Sequence, residues 1–442
     1  MPVAADPTGV LLMVLLSLMV IYGASRLGGE LCARFDLPPV LGELLAGAVI
    51  GVSVLHLLVF PEHGLTGQDS LLMRGVQSFL HLSPEVQEAT FAAQGEVVSL
   101  LAELGVIILL FEIGLESNLQ ELLRVGVQAA LVAVVGVTVP FVAGTVGLIT
   151  LFHVPTVPAI FAGAALTATS IGITAKVLAE LQQLSSPEGQ VILGAAVMDD
   201  VLGIIILAVV ASLAKNGEVE LGRVLYLIVG AAVFLVGSVV LGRWLSPLFV
   251  TLVNNMKTRG SLLIMALILM VLLAVIGAAI QLEAILGSFT AGLILSETER
   301  QQDLEEQVLP LADFFVPIFF VCVGARTDFG VFNPAIPANR EGLVLAAFLV
   351  VVAILGKVAS GIGAGWGETK LNRLAVGVGM IPRGEVGLVF AAAGSSSGVL
   401  NDALDAGIVV MVILTTFLAP PLLRLVFPSQ PATPVPTAEP HV

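Results

Sequence analysis

The chain has 442 residues, 57% of them hydrophobic and only 12% charged, with a formal net charge of −15. This composition excludes a soluble globular protein, and the acidic balance excludes a nucleic-acid partner. Apolar runs of about 20 residues recur, continuous rather than alternating, so the fold class is an all-α polytopic membrane protein and not a β-barrel.

In chain order, thirteen spans are predicted, at about 8–30, 39–60, 97–115, 125–152, 158–182, 189–213, 221–250, 261–280, 283–297, 308–326, 342–366, 372–396 and 404–426. The N-terminal MPVAADPTG has no basic region and does not read as a signal peptide. The longest loop is 61–96, and Ser83-Pro84-Glu85 within it reads as a helix start. Ser186-Pro187-Glu188 gives the same signal before the sixth span. Residues 1–427 are expected to form one membrane domain, and the Pro-rich tail 428–442 is expected to be disordered. Cys32 and Cys322 match no metal-binding spacing and read as small core residues.

Basic residues set the orientation. Arg26, Arg34, Arg124, Lys176, Arg243, Lys257, Arg259, Arg300, Lys370, Arg373 and Arg424 fall on one side of the membrane. They outnumber Arg74, Lys215, Arg223, Arg326 and Arg340 on the other, which places the N-terminus outside and the C-terminus in the cytoplasm. Lys357 and Arg383 remain, and both lie inside spans.

The sixth span carries Asp199 and Asp200 side by side in GAAVMDDVLGIIIL (194–207), with no other charge between Gln190 and Leu213. Carboxylates in the middle of a spanning helix cost several kcal/mol and mark functional sites. Adjacent helical residues point about 100° apart, so the two cannot face one ion. Asp200 is assigned to the ion and proton, and Asp199 to Lys357. Counted from the span ends, Thr167–Ser170, Asp199, Asp200, Lys357 and Arg383–Glu385 share one mid-membrane layer. The charges of Asp199, Asp200, Glu385, Lys357 and Arg383 leave one net negative charge, which one proton or one monovalent cation neutralises.

The chain also repeats itself. VLGELLAGAVIG (40–51) resembles ILGSFTAGLILS (285–296), and LAELGVIILLFEIGLESNL (101–119) resembles LADFFVPIFFVCVGARTDF (311–329). The second pair sets Glu103 over Asp313 and Gly114 over Gly324. An odd number of spans separates the copies, which makes an inverted repeat, the architecture of many secondary transporters. Continued, the register pairs span 5 with span 12, and both have non-helical centres: Leu166–Ser170 and Met380–Glu385. Pro382 lacks an amide hydrogen and Gly384 is a weak helix former, so span 12 is expected to break there. Thr167, Thr169 and Ser170 offer hydroxyl and freed carbonyl oxygens to a hard cation, with Na⁺ expected at Asp200 and Thr167; close helix packing is the other reading. Arg383 and Glu385 are expected to neutralise each other at the break. Glu103, Asp313 and Glu43 are candidates for acidic funnels; for Glu43, with Glu112 and Glu116, the plainer reading is solvation near the cytoplasmic span ends. Gly47 and Gly51 form a GxxxG pattern that suits close helix packing.

VLGELLAG (40–47), LTATSIGIT (166–174), GAAVMDDVLG (194–203), FFVCVGARTDF (319–329), LGKVASG (355–361) and MIPRGEVGLV (380–389) together resemble the cation:proton antiporter-2 family, Kef-type and NapA-like sodium/proton antiporters. The resemblance covers nearly the whole chain in order. It implies a homodimer whose protomers have a scaffold part (about 8–115 and 261–326), a core part (about 125–213 and 342–426) and a linker helix (221–250). It further implies two crossing broken helices, an elevator-like movement, Asp200 as the essential ion-binding carboxylate and Asp199 as the partner of Lys357. Kef-type systems have Gln-Asp in place of Asp199-Asp200 and a cytoplasmic nucleotide-binding domain, neither of which is expected here. MDDVLGIIILAVVASLAK (198–215) is similar to cyanobacterial members, which adds a thylakoid location to the cell inner membrane.

The expected function is secondary exchange of Na⁺, with K⁺ or Li⁺ as other cargo, for H⁺ across a lipid bilayer. No cofactor and no enzymatic reaction are expected. The alternatives are a K⁺/H⁺ antiporter of Kef type without its regulatory domain, a cation channel, and a sodium-coupled symporter of an organic solute.

Overall fold

The computed structural model describes residues 4–61, 64–216, 220–335, 337–366 and 370–427, and its regular elements are all helical. In order they are α1 (Pro7–Arg34), α2 (Pro39–Ile50), α3 (Leu71–Leu80), α4 (Pro84–Glu116), α5 (Leu119–Arg124), α6 (Gly126–Phe152), α7 (Thr156–Ala165), α8 (Ile171–Glu180) and α9 (Pro187–Asn216). There follow α10 (Leu221–Asn255), α11 (Ser261–Ala279), α12 (Ala284–Leu295), α13 (Gln301–Ala325), α14 (Pro337–Ser360), α15 (Arg373–Gly379), α16 (Glu385–Ser396) and α17 (Asp402–Val426). The tail 428–442, expected to be disordered, lies outside the described residues.

Among the described residues, nine helices are long and apolar enough to cross a membrane. The four other predicted spans are built from shorter pieces: α2, α12, the α7–α8 pair and the α15–α16 pair. Two boundaries differ from the sequence reading. The span expected at 39–60 is helical only to Ile50, because Gly51 lies against the backbone of Ala325, and the chain leaves the helix where Val52 N–H donates to the Ala325 carbonyl. The expected loop 61–96 is largely helical. It holds α3 and the first turns of α4, which starts at Pro84 under a Ser83 cap whose hydroxyl accepts from Val86 N–H.

The repeat seen in the sequence is present in the packing. α2 and α12, the two matched segments, are each 12 residues long. α2 packs on α13 and α12 packs on α4, so each short helix lies on the long helix of the other repeat. Both contacts are made by paired glycines. A Cβ on Gly47 would fall on the Val321 carbonyl oxygen and 3.0 Å from Gly324 Cα; one on Gly292 would fall on the Phe111 carbonyl oxygen and 2.9 Å from Gly114 Cα. In a bilayer, where apolar burial gives no drive for helices to associate, such backbone approach is what holds them. Gly51, the second glycine of the GxxxG, continues the same seam against Ala325.

Two sets of helices pack chiefly among themselves: α1, α2, α4, α11, α12 and α13 in one, and α6, α7, α9, α14, α15, α16 and α17 in the other. α10 touches α9 as well as α11 and α12, and α8 lies against α4 and α2 on one side and α9 and α17 on the other. The polar layer sits inside the second set.

Candidate functional site

The two broken spans meet at their breaks. α7 ends at Ala165 and α8 starts at Ile171; α15 ends at Gly379 and α16 starts at Glu385. Pro382 supplies no donor, and Gly384 caps α16 with extended backbone. Backbone carbonyls released by one break are taken up by the other. Ser170 N–H donates to the Pro382 carbonyl at 2.8 Å, and Thr174 Oγ1 donates to the Gly379 carbonyl at 3.0 Å. Arg383 Nη1 donates to the Ala168 carbonyl, and Thr416 of α17 donates to the Arg383 carbonyl. This exchange is how non-helical backbone persists at membrane depth, where no water is at hand.

α9 passes beside the crossing. Lys357 Nζ of α14 lies 2.5 Å from Asp199 Oδ2, and both side chains are 0% exposed. Thr169 Oγ1 donates to the same oxygen at 2.6 Å and lies 3.2 Å from the Met380 carbonyl. Asp199 Oδ1 is enclosed with no hydrogen-bond partner among the described residues. Asp200 is 5% exposed, against 0% for Asp199 and Lys357 and 1% for Arg383, so among the described charged side chains of this layer it is the nearest to accessible space. Lys357 is within electrostatic reach of Asp199, Asp200 and Arg383. A buried ion pair of this kind is tolerable only when both partners keep further hydrogen bonds; Thr169 supplies one.

The remaining expected residues fall as follows. Thr167 is fully buried, and its hydroxyl donates to the Ala164 carbonyl at 2.7 Å, leaving oxygen lone pairs available. Ser170 Oγ is buried with no hydrogen-bond partner among the described residues. The side chain of Glu385 lies outside the described residues, and so does its expected pairing with Arg383. Arg383 Nε and Nη2 have no hydrogen-bond partner among the described residues. Glu103 and Asp313 are both exposed, and Glu103 lines, with Glu96, Ser99 and Pro61, a cavity of about 290 Å³. Glu43 is not solvated as the plainer reading had it: Ser25 of α1 donates to its Oε1 at 2.8 Å, and Oε2 is enclosed. Lys176 is within electrostatic reach of Glu43, Glu112, Glu116 and Glu180. No group of three or more His, Cys, Asp or Glu side chains capable of holding a metal ion occurs among the described residues. The layer offers carboxylate, hydroxyl and carbonyl oxygens, the donor types that suit a hard cation.

Sequence reasoning missed Thr174 and Thr416. Thr174 lies one turn past the α7–α8 break and serves the other one, at Gly379. Thr416 was hidden in an apolar span whose adjacent Thr415 bonds only to its own helix, at Met411 and Val412.

Residues 13–427 match the family described as "Sodium/hydrogen exchanger, transmembrane". The chain is 63% identical over 431 residues to the high-affinity Na⁺/H⁺ antiporter NhaS3 of Synechocystis sp., an alignment covering 96% of this chain and 93% of that protein. It is 33% identical over 420 residues to the Na⁺/H⁺-K⁺ antiporter GerN of Bacillus cereus, covering 91% and 94%. Its fold is similar to that of the sodium proton antiporter MjNhaP1 of Methanocaldococcus jannaschii, with a TM-score of 0.61 at 15% identity, covering 93% of this chain and 96% of that one. The chain is therefore a multi-pass integral membrane protein belonging to the sodium/hydrogen exchanger transmembrane family.

Proposed function

We propose that the protein is a secondary active antiporter exchanging Na⁺ for H⁺, with proton and cation competing for Asp200. The observation that carries this reading is the buried Lys357–Asp199 pair. It neutralises one aspartate of the mid-membrane pair, so the charge of Asp200 next to it is matched by one proton or one monovalent cation. In the cycle, protonated Asp200 faces one side, releases its proton, takes up Na⁺ and returns. The two crossing breaks provide the carbonyl and hydroxyl oxygens that a dehydrated Na⁺ requires, Thr167 and Ser170 among them. The high identity to NhaS3, named as a high-affinity Na⁺/H⁺ antiporter, favours Na⁺ over K⁺ as cargo.

The set of helices around α2, α4, α12 and α13 is the fixed scaffold in this reading, and the set around α9, α14 and α17 moves against it as an elevator. The glycine seams suit a rigid scaffold, since backbone contacts leave no slack. The scaffold is also the dimerisation surface of the proposed homodimer. Asp200→Asn in proteoliposomes tests the reading: it is expected to abolish Na⁺-driven proton movement, and retained full exchange would sink the role given to Asp200.

A further inference from the structure

The inverted repeat extends past the segments that the sequence pairs. In each repeat the second half of the broken span is followed by an unbroken helix, α9 in one and α17 in the other. Counted from the first residue of each helix, Pro187 of α9 and Asp402 of α17, Asp199 and Asp200 fall opposite Leu414 and Thr415, with Thr416 the next residue on. The two threonines thus stand within one residue of the place that Asp199 and Asp200 hold in the first repeat. The hydrogen bonds repeat too: the polar pair reaches back to its own repeat's break, Asp199 to Thr169 across 30 residues and Thr416 to Arg383 across 33.

The chemistry at the two places is opposite. In the first repeat the unbroken helix presents carboxylates, and the break presents a hydroxyl donor. In the second the unbroken helix presents a hydroxyl donor, and the break presents a carbonyl acceptor. Without Thr416, the Arg383 carbonyl would be a buried acceptor freed by Pro382 and Gly384, aimed at α17 with no donor. The same residue carries a guanidinium, 1% exposed, on the Ala168 carbonyl that the first break releases. Arg383 therefore joins three elements: its carbonyl to α17, its side chain to the α7–α8 break, and its backbone to the α15–α16 break.

We propose that Thr416 is a positioning residue for transport. By holding the Arg383 carbonyl it fixes the guanidinium on Ala168, so that a tethered positive charge stands where the two breaks cross. The carrier then loads a mobile cation only on the Asp200 side. The unbroken helix of the second repeat offers hydroxyls where that of the first offers carboxylates, and the second repeat's cation at the crossing is the fixed one of Arg383. This inference rests on the antiport reading for its meaning in transport, but its test does not.

The test compares wild type with Thr416→Val, which keeps the shape and removes the donor, and Thr416→Ser, which restores the donor. Equilibrium binding of radioactive Na⁺ to purified protein is measured across pH, alongside thermal unfolding. Thr416→Val is expected to weaken Na⁺ binding about tenfold, the scale of one buried hydrogen bond, and to displace the pH profile of binding; Thr416→Ser is expected to recover both. Unchanged affinity and pH profile in Thr416→Val, with or without a loss of thermal stability, would overturn the proposal, as would a failure of Ser to rescue. If Thr416→Val does not fold, Thr416→Ala removes the same donor with a smaller side chain and is judged by the same outcomes. A wild type that binds Na⁺ but moves no protons in vesicles would sink the antiport reading alone.

Discussion

Replacing Lys357 by Met removes one partner of the ion pair while keeping most of the side-chain volume. Asp199 and Lys357 are both 0% exposed and 2.5 Å apart, and the remaining support for the carboxylate is the 2.6 Å bond from Thr169. Breaking a buried pair by deleting one side strands the other charge, at a cost of about 3–5 kcal/mol. Replacing both sides with neutral groups of similar shape is close to neutral, because the desolvation of both charges is also removed. Lys357→Met and Asp199→Asn are therefore each expected to lower thermal stability in detergent, and the double variant to be more stable than either single one. The assay is thermal unfolding followed by size-exclusion chromatography, with binding and exchange measured on the surviving fraction. Single variants as stable as wild type would refute the reasoning, as would a double variant that shows the sum of both losses.

Thr169→Val removes a charge-assisted hydrogen bond from Asp199 and is expected to cost about 1.5–3 kcal/mol, with the loss much reduced in the Asp199→Asn background; a thermal-stability double-mutant cycle reads the coupling. Gly47→Leu and Gly292→Leu drive a side chain into the backbone of the facing helix at symmetry-related seams, so both are expected to lower the yield of folded protein to a similar degree. Gly23→Leu, at a position with nothing within 4 Å, is the control and is expected to express normally.

Much of this architecture was legible because bilayer physics writes it into sequence. Apolar runs must be about the thickness of the membrane, so the long spanning helices were legible, nine of them among the described residues. Breaks need residues that cannot continue a helix, so Pro382 and Gly384 marked α15–α16, and the run of Thr and Ser marked α7–α8. The 100° step between neighbours on a helix separated the roles of Asp199 and Asp200, the family resemblance implied which of them takes Lys357, and the structure has Lys357 on Asp199. What was illegible depended on partners distant in the chain. The end of α2 at Ile50 is set by Ala325, and Ser25 takes up Glu43 from another helix. Thr416 looked like any small polar residue in an apolar span, because its partner is a backbone carbonyl, which leaves no mark in the sequence. The start of α4 at Pro84 was legible in Ser83-Pro84-Glu85, although the apolar span itself was read only from about residue 97.

The central claim is that one carboxylate holds either a proton or a cation. Purified wild-type protein in weakly buffered solution with a pH dye, at a pH low enough that Asp200 carries its proton, tests it most directly: added Na⁺ is expected to release protons in number equal to the Na⁺ bound, and Asp200→Asn to release none. Na⁺ binding without proton release, or equal release from Asp200→Asn, would contradict it.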